Sequence, residues 1–543
     1  MPQDTTEGNE GWAGLPAVDI TYPFEEDGNI SSVELPFVMN VLADVSGESD
    51  ALPIRLQDRK FTFIDRENFD AVMEAYAPYL RLVVANRMKR DGAPVELELR
   101  FRSVSDFEPE GVARQFPGLL DLLQSGHAGA ADQLDEILHA PAFQRLEATW
   151  RGLRYLVGST EVDTSVKVRV FNVTKKELLS DLRLPALEDS VMFKKIYEEP
   201  YGIVGGWPTG ATIGDYEFTN APSDLELLDG LAELGAVAHA PFIAAASPQM
   251  FGCRQFAELS RKRGLSKIFE GAEYARWRSF RQSAPAADAV LVLPHILMRP
   301  PYGVATGRVK AFSFEETIAE DGGNLLWGNA AFALGARLAA AFRRYHWCAA
   351  IEGPDGGGLV TGLPAVMVED PKGSPARKGP TDVLLDDSEQ EELFNCGFTC
   401  LLQSRESDRA AFVGVTTCLR PKVYQEAAAT TAARLATRLP YVLAAARFAQ
   451  YLMTILRDSS RRWWSKEECE KMLNDWIRQY VVEEDSVSAE VKAKFPLRYA
   501  RIQVEKASNH AGLVAKLALR PHFQVADPGL ALRLAFELPP SAG

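Results

Sequence analysis

LEATWRGLRYLV, residues 146–157, is the stretch from which the rest of the chain can be read. Phe143, Leu146, Trp150, Leu153 and Val157 recur at spacings of three, four, three and four, which puts them on one face of a helix. Arg151 and Arg154 fall off that stripe. Pro141 stands just ahead, where a first helical turn tolerates a missing N–H. Leu134, Ile137 and Leu138 form a second amphipathic run immediately upstream. Immediately downstream, Val166, Val168 and Val170 alternate with Lys167, Arg169 and Phe171, the period of a strand. Two helices therefore feed directly into a sheet. Trp150 and Leu153 read as core anchors of this joint, since an aromatic stripe at helical spacing is ordinarily a packing feature.

Upstream, VELPFVMNVLADV (33–45) reads as one mostly buried strand. Asn68 to Leu80 reads as a short helix with Phe69, Val72, Met73 and Tyr76 on one face. Leu82-Val83-Val84 reads as a strand. Val95, Leu97, Leu99 and Phe101 alternate with Glu96, Glu98, Arg100 and Arg102, giving a strand with one dry and one wet face. A helix-like stretch follows Ser105 and Asp106 and ends near Leu123. Residues 29–124 thus make an α+β unit, preceded by a polar, flexible tail over 1–28. SGHAGA (125–130) reads as a short flexible joint, and 125–160 comprises this joint and the helical pair.

Downstream, 161–495 alternates strand-like and helix-like segments without a fixed repeat, which predicts one large mixed α/β body. Trp277 and Trp327 are its expected aromatic anchors. Residues 369–380 read as a charged loop. Thr431 to Arg457 is helical in character and broken or kinked at Pro440, and Cys469 to Val482 is a further helix. The last segment, 496–543, is strand-like. Leu513, Leu517 and Leu519 alternate with polar or small residues, and so do Leu532, Leu534 and Phe536. Strands near a chain end either close the chain's own sheet or pair with a neighbouring subunit.

The chain has 543 residues and a net charge of −15, which argues against nucleic acid as a main partner. Its N-terminus carries neither a basic nor an apolar leader region. The longest uncharged run, Gly235 to Gly252, is interrupted by Pro241 and Pro248, so no membrane insertion is expected. Six scattered cysteines read as reduced thiols of a cytoplasmic protein. GPDGGG (353–358) lacks the Lys-Ser/Thr ending of a phosphate loop. Cys396 and Cys400 have no second ligand pair at zinc spacing. His239 and His346 read as hydrogen-bonded core residues, and His510 and His522 fall in or near the terminal strands. No catalytic, cofactor-binding or metal-binding residue is therefore assigned. An α/β enzyme would need a deep polar pocket with convergent titratable groups.

At this point the residues resemble a known family, the large sheath subunit of the type VI secretion system (TssC, or VipB). The resemblance runs from about Asp132 to Leu538. It is carried by LDEILHAPAFQRLEATWRGLRYLV (134–157), HAPFIAAASPQMFG (239–252), FEGAEYARWRSFRQS (269–283), LMRPPYG (297–303), LWGNAAFALGARL (326–338), RLPYVLAAARFAQYL (438–452), LNDWIRQYV (473–481), PLRYARIQV (496–504) and LRPHFQ (519–524). The N-terminal unit, through VELPFVMNVLADVSG (33–47), NFDAVMEAYAPYLRLVVANRM (68–88) and VELELRFRSVSDFEPEGVARQFPGLLDLL (95–123), is similar to the small sheath subunit (TssB, or VipA). The family ordinarily keeps these on separate chains.

The resemblance implies a structural protein that is not an enzyme and needs no cofactor. Such subunits polymerise with copies of themselves into a helical tube around an Hcp-like inner tube, contact baseplate components, and contract. A separate small sheath subunit is a further partner that this implication leaves open. It also implies strand sharing between neighbours through Val33, Leu35, Leu513, Leu517, Leu519, Leu532, Leu534 and Phe536. The inner-tube contact would fall on Asp386, Asp387, Glu389, Glu391 and Glu392 or on Arg261, Lys262 and Arg263, though any one of these residues reads more readily as part of a solvated face. The resemblance does not extend to the long stretch that the large subunit carries ahead of the helical pair, with the helix recognised by the ClpV unfoldase, so a ClpV-type unfoldase is a partner that this implication leaves open. Ala284-Pro285-Ala286 stands where the family tends to be acidic, whereas Gly205-Gly206-Trp207-Pro208 keeps the Gly-Gly-x-Pro pattern. A specialised sheath-like component of a baseplate or a related phage-tail-like particle is the alternative role.

Overall fold

A computed structural model describes residues 20–26, 29–48, 54–89, 92–160, 162, 164–303, 309–369, 375–403, 409–458, 465–484, 495, 497–506, 513–521 and 532–537. Its centre is a nine-stranded sheet. Six parallel strands form the middle, in the order β16 (Phe398–Gln403), β10 (Ala289–Leu293), β9 (Phe242–Ala246), β8 (Thr209–Phe218), β3 (Phe37–Ala43) and β7 (Val166–Asn172). Antiparallel pairings extend both edges: β4 (Thr62–Phe63) beyond β7, and β17 (Ala410–Phe412) then β13 (Leu359–Val360) beyond β16. A parallel sheet is covered on both faces, which favours continuously apolar strands. All seven residues of β3 are buried accordingly.

β3 belongs to the N-terminal unit, yet it lies between β7 and β8, with Met39 opposite Val168 and Val41 opposite Ile213. The boundary near residue 125 therefore divides the sequence and not the core. One apolar cluster runs from Met39 and Phe69 through Trp150 to Phe332 and Leu443. The strand expected over 33–45 is interrupted, because Pro36 has no N–H to give a ladder. β2 (Asn29–Val33) pairs instead with β1 (Tyr22–Glu26) as a hairpin.

Helix α1 (Phe69–Tyr76) is shorter than expected and stops at Ala77, whose φ is 48°. β5 (Tyr79–Val84) and β6 (Val95–Arg100) pair antiparallel, with Leu80 opposite Leu99 and their charged residues in solvent. The next helical stretch breaks into α2 (Pro109–Gln115) and α3 (Leu119–Gln124), with Gly118 between them at φ 79°. The expected flexible joint at 125–130 is corrected here. Its last residues are the first turn of α4 (Ala128–Leu138), capped by the His127 ring, which accepts from the Gly129 N–H. A Cβ on Gly129 would come within 2.9 Å of the Arg87 carbonyl, so the glycine serves close packing.

α5 (Pro141–Ser159) carries the opening stretch. Trp150 is fully buried, donates from Nε1 to the Val45 carbonyl at 3.0 Å and meets the Phe69 ring edge-on at 5.8 Å. On the same helix Gly152 lies against Phe332 of the Ala331–Tyr345 helix.

The remaining strands form small sheets. β11 (Ile296–Leu297) pairs with β12 (Trp327–Gly328), and β14 (Val366–Glu369) with β15 (Pro375–Lys378), so that the expected charged loop at 369–380 contains the last residue of β14 and all of β15. The helical run around Pro440 is two helices, Ala427–Leu435 and Leu439–Asp458, with the proline in the first turn of the second. That second helix is long and apolar enough to span a bilayer, but 94% of its apolar window is buried inside the fold. It forms a third core with the β1–β2 hairpin, the Lys466–Ile477 helix and a terminal sheet of β18 (Leu497–Lys506), β19 (Leu513–Pro521) and β20 (Leu532–Glu537).

Candidate functional site

The terminal sheet is the first candidate, because strand edges can recruit a neighbouring chain. β19 is its central strand. Leu517 stands opposite Ile502 on one side and Leu534 on the other, Leu519 opposite Ala500 and Leu532, and Leu513 opposite Lys506. The register puts Phe536 opposite Ala515. Leu517, Leu519, Ile502 and Val504 are buried in the third core, while Lys516 and Glu505 form an exposed ion pair at 2.6 Å on the other face. Within one chain β19 is thus paired on both edges, and β18 and β20 are the outer strands of this sheet among the described residues. His510 and His522 lie outside those residues.

Val33 pairs with Tyr22 in the N-terminal hairpin, and Leu35 lies in the link to β3. The hairpin sits on the same module as the terminal sheet. Thr21 accepts through its carbonyl from Trp476 Nε1 at 2.9 Å and from the Tyr480 hydroxyl at 2.9 Å. The Tyr22 hydroxyl donates to Asp458 at 3.0 Å, and burial together with that carboxylate pushes the phenol pKa well up. The Leu35 N–H donates to the Tyr451 hydroxyl at 3.0 Å, and the buried Arg447 donates to the Leu35 and Pro36 carbonyls. Both strand groups singled out in the sequence therefore meet around one helix, Leu439–Asp458.

A second feature was not foreseen. Glu147, on the buried side of α5, accepts from Arg151 Nε at 2.7 Å and Arg299 Nε at 2.9 Å. Arg299 also holds Glu316 with both Nη atoms, at 2.7 and 3.1 Å. His139 lies 3.2 Å from Glu316, and Arg151 donates to the Tyr302 hydroxyl at 2.8 Å. Burial alone would raise the Glu316 pKa, but His139 and Arg299 bring it down to about 2. This network ties the helical pair to the segments that carry Arg299 and Glu316. The signal was a glutamate beside the Trp150 stripe, four residues before an arginine.

A third feature is a cavity of 820 Å³ at the carboxyl ends of β3 and β10, where α/β folds commonly place ligands. Asp44, Asp215, Glu217, His295, Asp382, Arg145 and Lys175 line it, together with Trp327, which is half-buried and less enclosed than a core anchor. Asp215 accepts from Thr149 at 2.6 Å, and burial pushes its pKa up to about 6. His295 lies 2.9 Å from both Asp382 and Glu217. Burial opposes its charge, yet the two carboxylates raise its pKa to about 10. The two carboxylates thus favour the charged form of the ring over the neutral one that a general base needs.

Of the other assigned residues, Leu153 and Trp277 are fully buried, Trp277 stacking on Phe398 at 5.2 Å. Asp386 caps the Asp387–Asn395 helix in a reciprocal box with Glu389. Asp386, Asp387 and Glu391 are exposed, while Glu392 accepts from the Ser266 N–H at 3.0 Å. Lys262 donates to the Phe251 carbonyl at 2.7 Å, and Arg261 and Arg263 are exposed nearby. The acidic and basic groups thus occupy neighbouring elements. His239 is buried at the end of the Pro222–Ala238 helix, with its pKa lowered to about 4 by burial, and His346 lies 2.8 Å from Glu34. All six cysteines are free and buried.

Three family models match the chain. The VipB tail sheath N-terminal domain covers residues 128–419, and the VipB tail sheath gpW/gp25-like domain covers 428–538. The VipA family of the type VI secretion system covers 13–143, so residues 128–143 are claimed from both sides. The chain is 42% identical over 413 residues to the type VI secretion system sheath protein TssC1 of Pseudomonas aeruginosa, covering 75% of this chain and 83% of that protein. It is 34% identical over 139 residues to the sheath protein TssB1 of the same organism, covering 23% of this chain and 80% of that protein.

Proposed function

Because the chain belongs to the type VI secretion sheath family and carries the small- and large-subunit sequences fused on one polypeptide, we propose that it polymerises by itself into a helical tube around an Hcp-like inner tube and contracts to propel it. The observation that supports this reading most is the position of β3. A strand from the small-subunit-like segment fills the middle of the large-subunit sheet, so the two parts fold as one protomer and need no docking step.

Head-to-tail contacts that do not close on themselves give such filaments. Two alternative packings of the same subunits can store the work of contraction. We assign neighbour contacts to the outer edge of β20 and to the N-terminal hairpin, with Val33 and Leu35 leaving their own chain's module to pair with a neighbour's terminal strands. The exposed Asp386, Asp387 and Glu391 or the basic residues at 261–263 are assigned to the inner tube, and baseplate components are further partners. The role is structural and without a catalytic step, and the location is the cytoplasm.

Negative-stain electron microscopy of the purified chain tests this. Tubes should form, and removing residues 525–543 should abolish them while leaving a folded monomer. Tubes that persist after the deletion would sink the strand-exchange assignment, and a chain that stays monomeric under every assembly condition would sink the polymer.

A further inference from the structure

The turn after residue 202 is built to display apolar side chains. Ile203 is 62% exposed, Val204 63% and Trp207 43%. Phe63, on the outermost strand β4 of the large sheet, is 45% exposed and meets the Trp207 ring edge-on at 6.3 Å. Isolated exposed apolar residues are ordinary, but four on adjoining elements mark an interaction surface.

The display is rigid. Gly205 has φ 75°, and the Gly206 N–H donates to the Ile203 carbonyl at 2.9 Å. A Cβ on Gly206 would fall 2.3 Å from the Pro200 carbonyl, so the turn requires glycine there. From beneath, the buried Arg457 donates to the Pro200 carbonyl at 2.9 Å and the Gly206 carbonyl at 3.0 Å. Asp458 holds that guanidinium at 2.6 Å and accepts from Tyr22 of the N-terminal hairpin. A pre-ordered surface loses little entropy on binding.

Charge selects the occupant. Lys167 Nζ stands 5.8 Å from the centre of the Trp207 ring, and no carboxylate pairs with it among the described residues. Two such patches face to face would bring like charges together. The complement is therefore an acidic surface with exposed apolar residues. A chain of net charge −15 offers this chemistry itself.

We propose that Ile203, Val204, Trp207 and Phe63 dock heterologously on an acidic face of a second copy of this chain, as a contact separate from the terminal strands. The inference rests on the polymer reading and names a further interface for it. The test uses the full chain with p-benzoyl-phenylalanine in place of Ile203, irradiated as tubes and as dilute protein, and a second variant, Ile203→Asp with Val204→Asp. Expected are a two-chain adduct joining position 203 to a different, acidic region, and a loss of tube mass of roughly tenfold or more in the aspartate variant at unchanged melting temperature. Tubes without a two-chain adduct, adducts joining 203 to 203, or normal assembly of the aspartate variant would overturn the docking surface alone. If the unmodified chain forms no tubes, the polymer reading fails. Soluble material then decides this inference, a two-chain adduct to an acidic region supporting it and no such adduct overturning it.

Discussion

Glu147 and Arg299 lie 152 residues apart in the chain and meet inside the core, Nε to Oε1, at 2.9 Å. The arginine is 2% exposed and the glutamate fully buried. Neither charge could be held there alone, since an uncompensated buried ion is among the costliest features of a fold. Their meeting fixes the helical pair, where the two family patterns overlap, to the segment that carries Arg299. Glu147→Ala leaves Arg151 and Arg299 without their shared acceptor and should cost about 3–5 kcal/mol. A midpoint of urea unfolding equal to that of the unmodified chain would refute this role.

Gly152 gives a second test of the same helix. A Cβ there would sit 2.3 Å from the Phe332 ring, which faces it from the Ala331–Tyr345 helix. Gly152→Ala should therefore destabilise by about 1–3 kcal/mol through overpacking. Phe332→Leu combined with it should recover part of that loss. A double variant no better than additive would mean that the two helices do not pack as described.

His295 sets a pH dependence. Its pKa is raised from 6.5 to about 10 in the fold, so its contribution is complete below about pH 6.5 and is lost as pH rises through about 10. Asp215, raised from 3.8 to about 6, acts in the same direction at lower pH. Thermal unfolding across pH 7 to 10, roughly the window of the His295 shift, should show a falling melting temperature. His295→Asn should lower stability at pH 7 and flatten that fall. An unchanged slope in the variant would exclude the Asp382–His295–Glu217 bridge as its source.

Local periodicity made much of this fold legible. The Trp150 stripe, the Leu97–Leu99 alternation and the Val166–Val170 run each report the face their own backbone presents. What the sequence could not convey is which strands adjoin in a parallel sheet. β3 is far from β7 and β8 in the chain, and the side-chain pattern of each strand reports only its own faces, so nothing in their pattern says that β3 lies between the other two. Pro36 did carry its signal, a missing N–H, but inside an apolar run it read as strand. The terminal alternation over 513–536 was visible, yet it serves a chain's own sheet and a neighbour's equally well. Glu147, Arg299 and His295 were hidden for another reason: a buried charge is recognisable only once its counter-charge is in place.

The shared sheet predicts how the chain can be divided. Residues 125–543 expressed alone lack β3, leaving β7 and β8 without their common neighbour, and should aggregate. Supplying residues 1–124 on a second plasmid should restore a soluble complex. Soluble, monomeric 125–543 with an unchanged melting temperature would contradict the interleaved core.

The most direct test of a single-chain sheath protomer is electron cryomicroscopy of tubes assembled from this chain alone. The prediction is a helical lattice whose repeating unit is one polypeptide, with β3 between β7 and β8. A lattice that forms only when a separate small subunit occupies that place, or a preparation that yields no lattice, would contradict it.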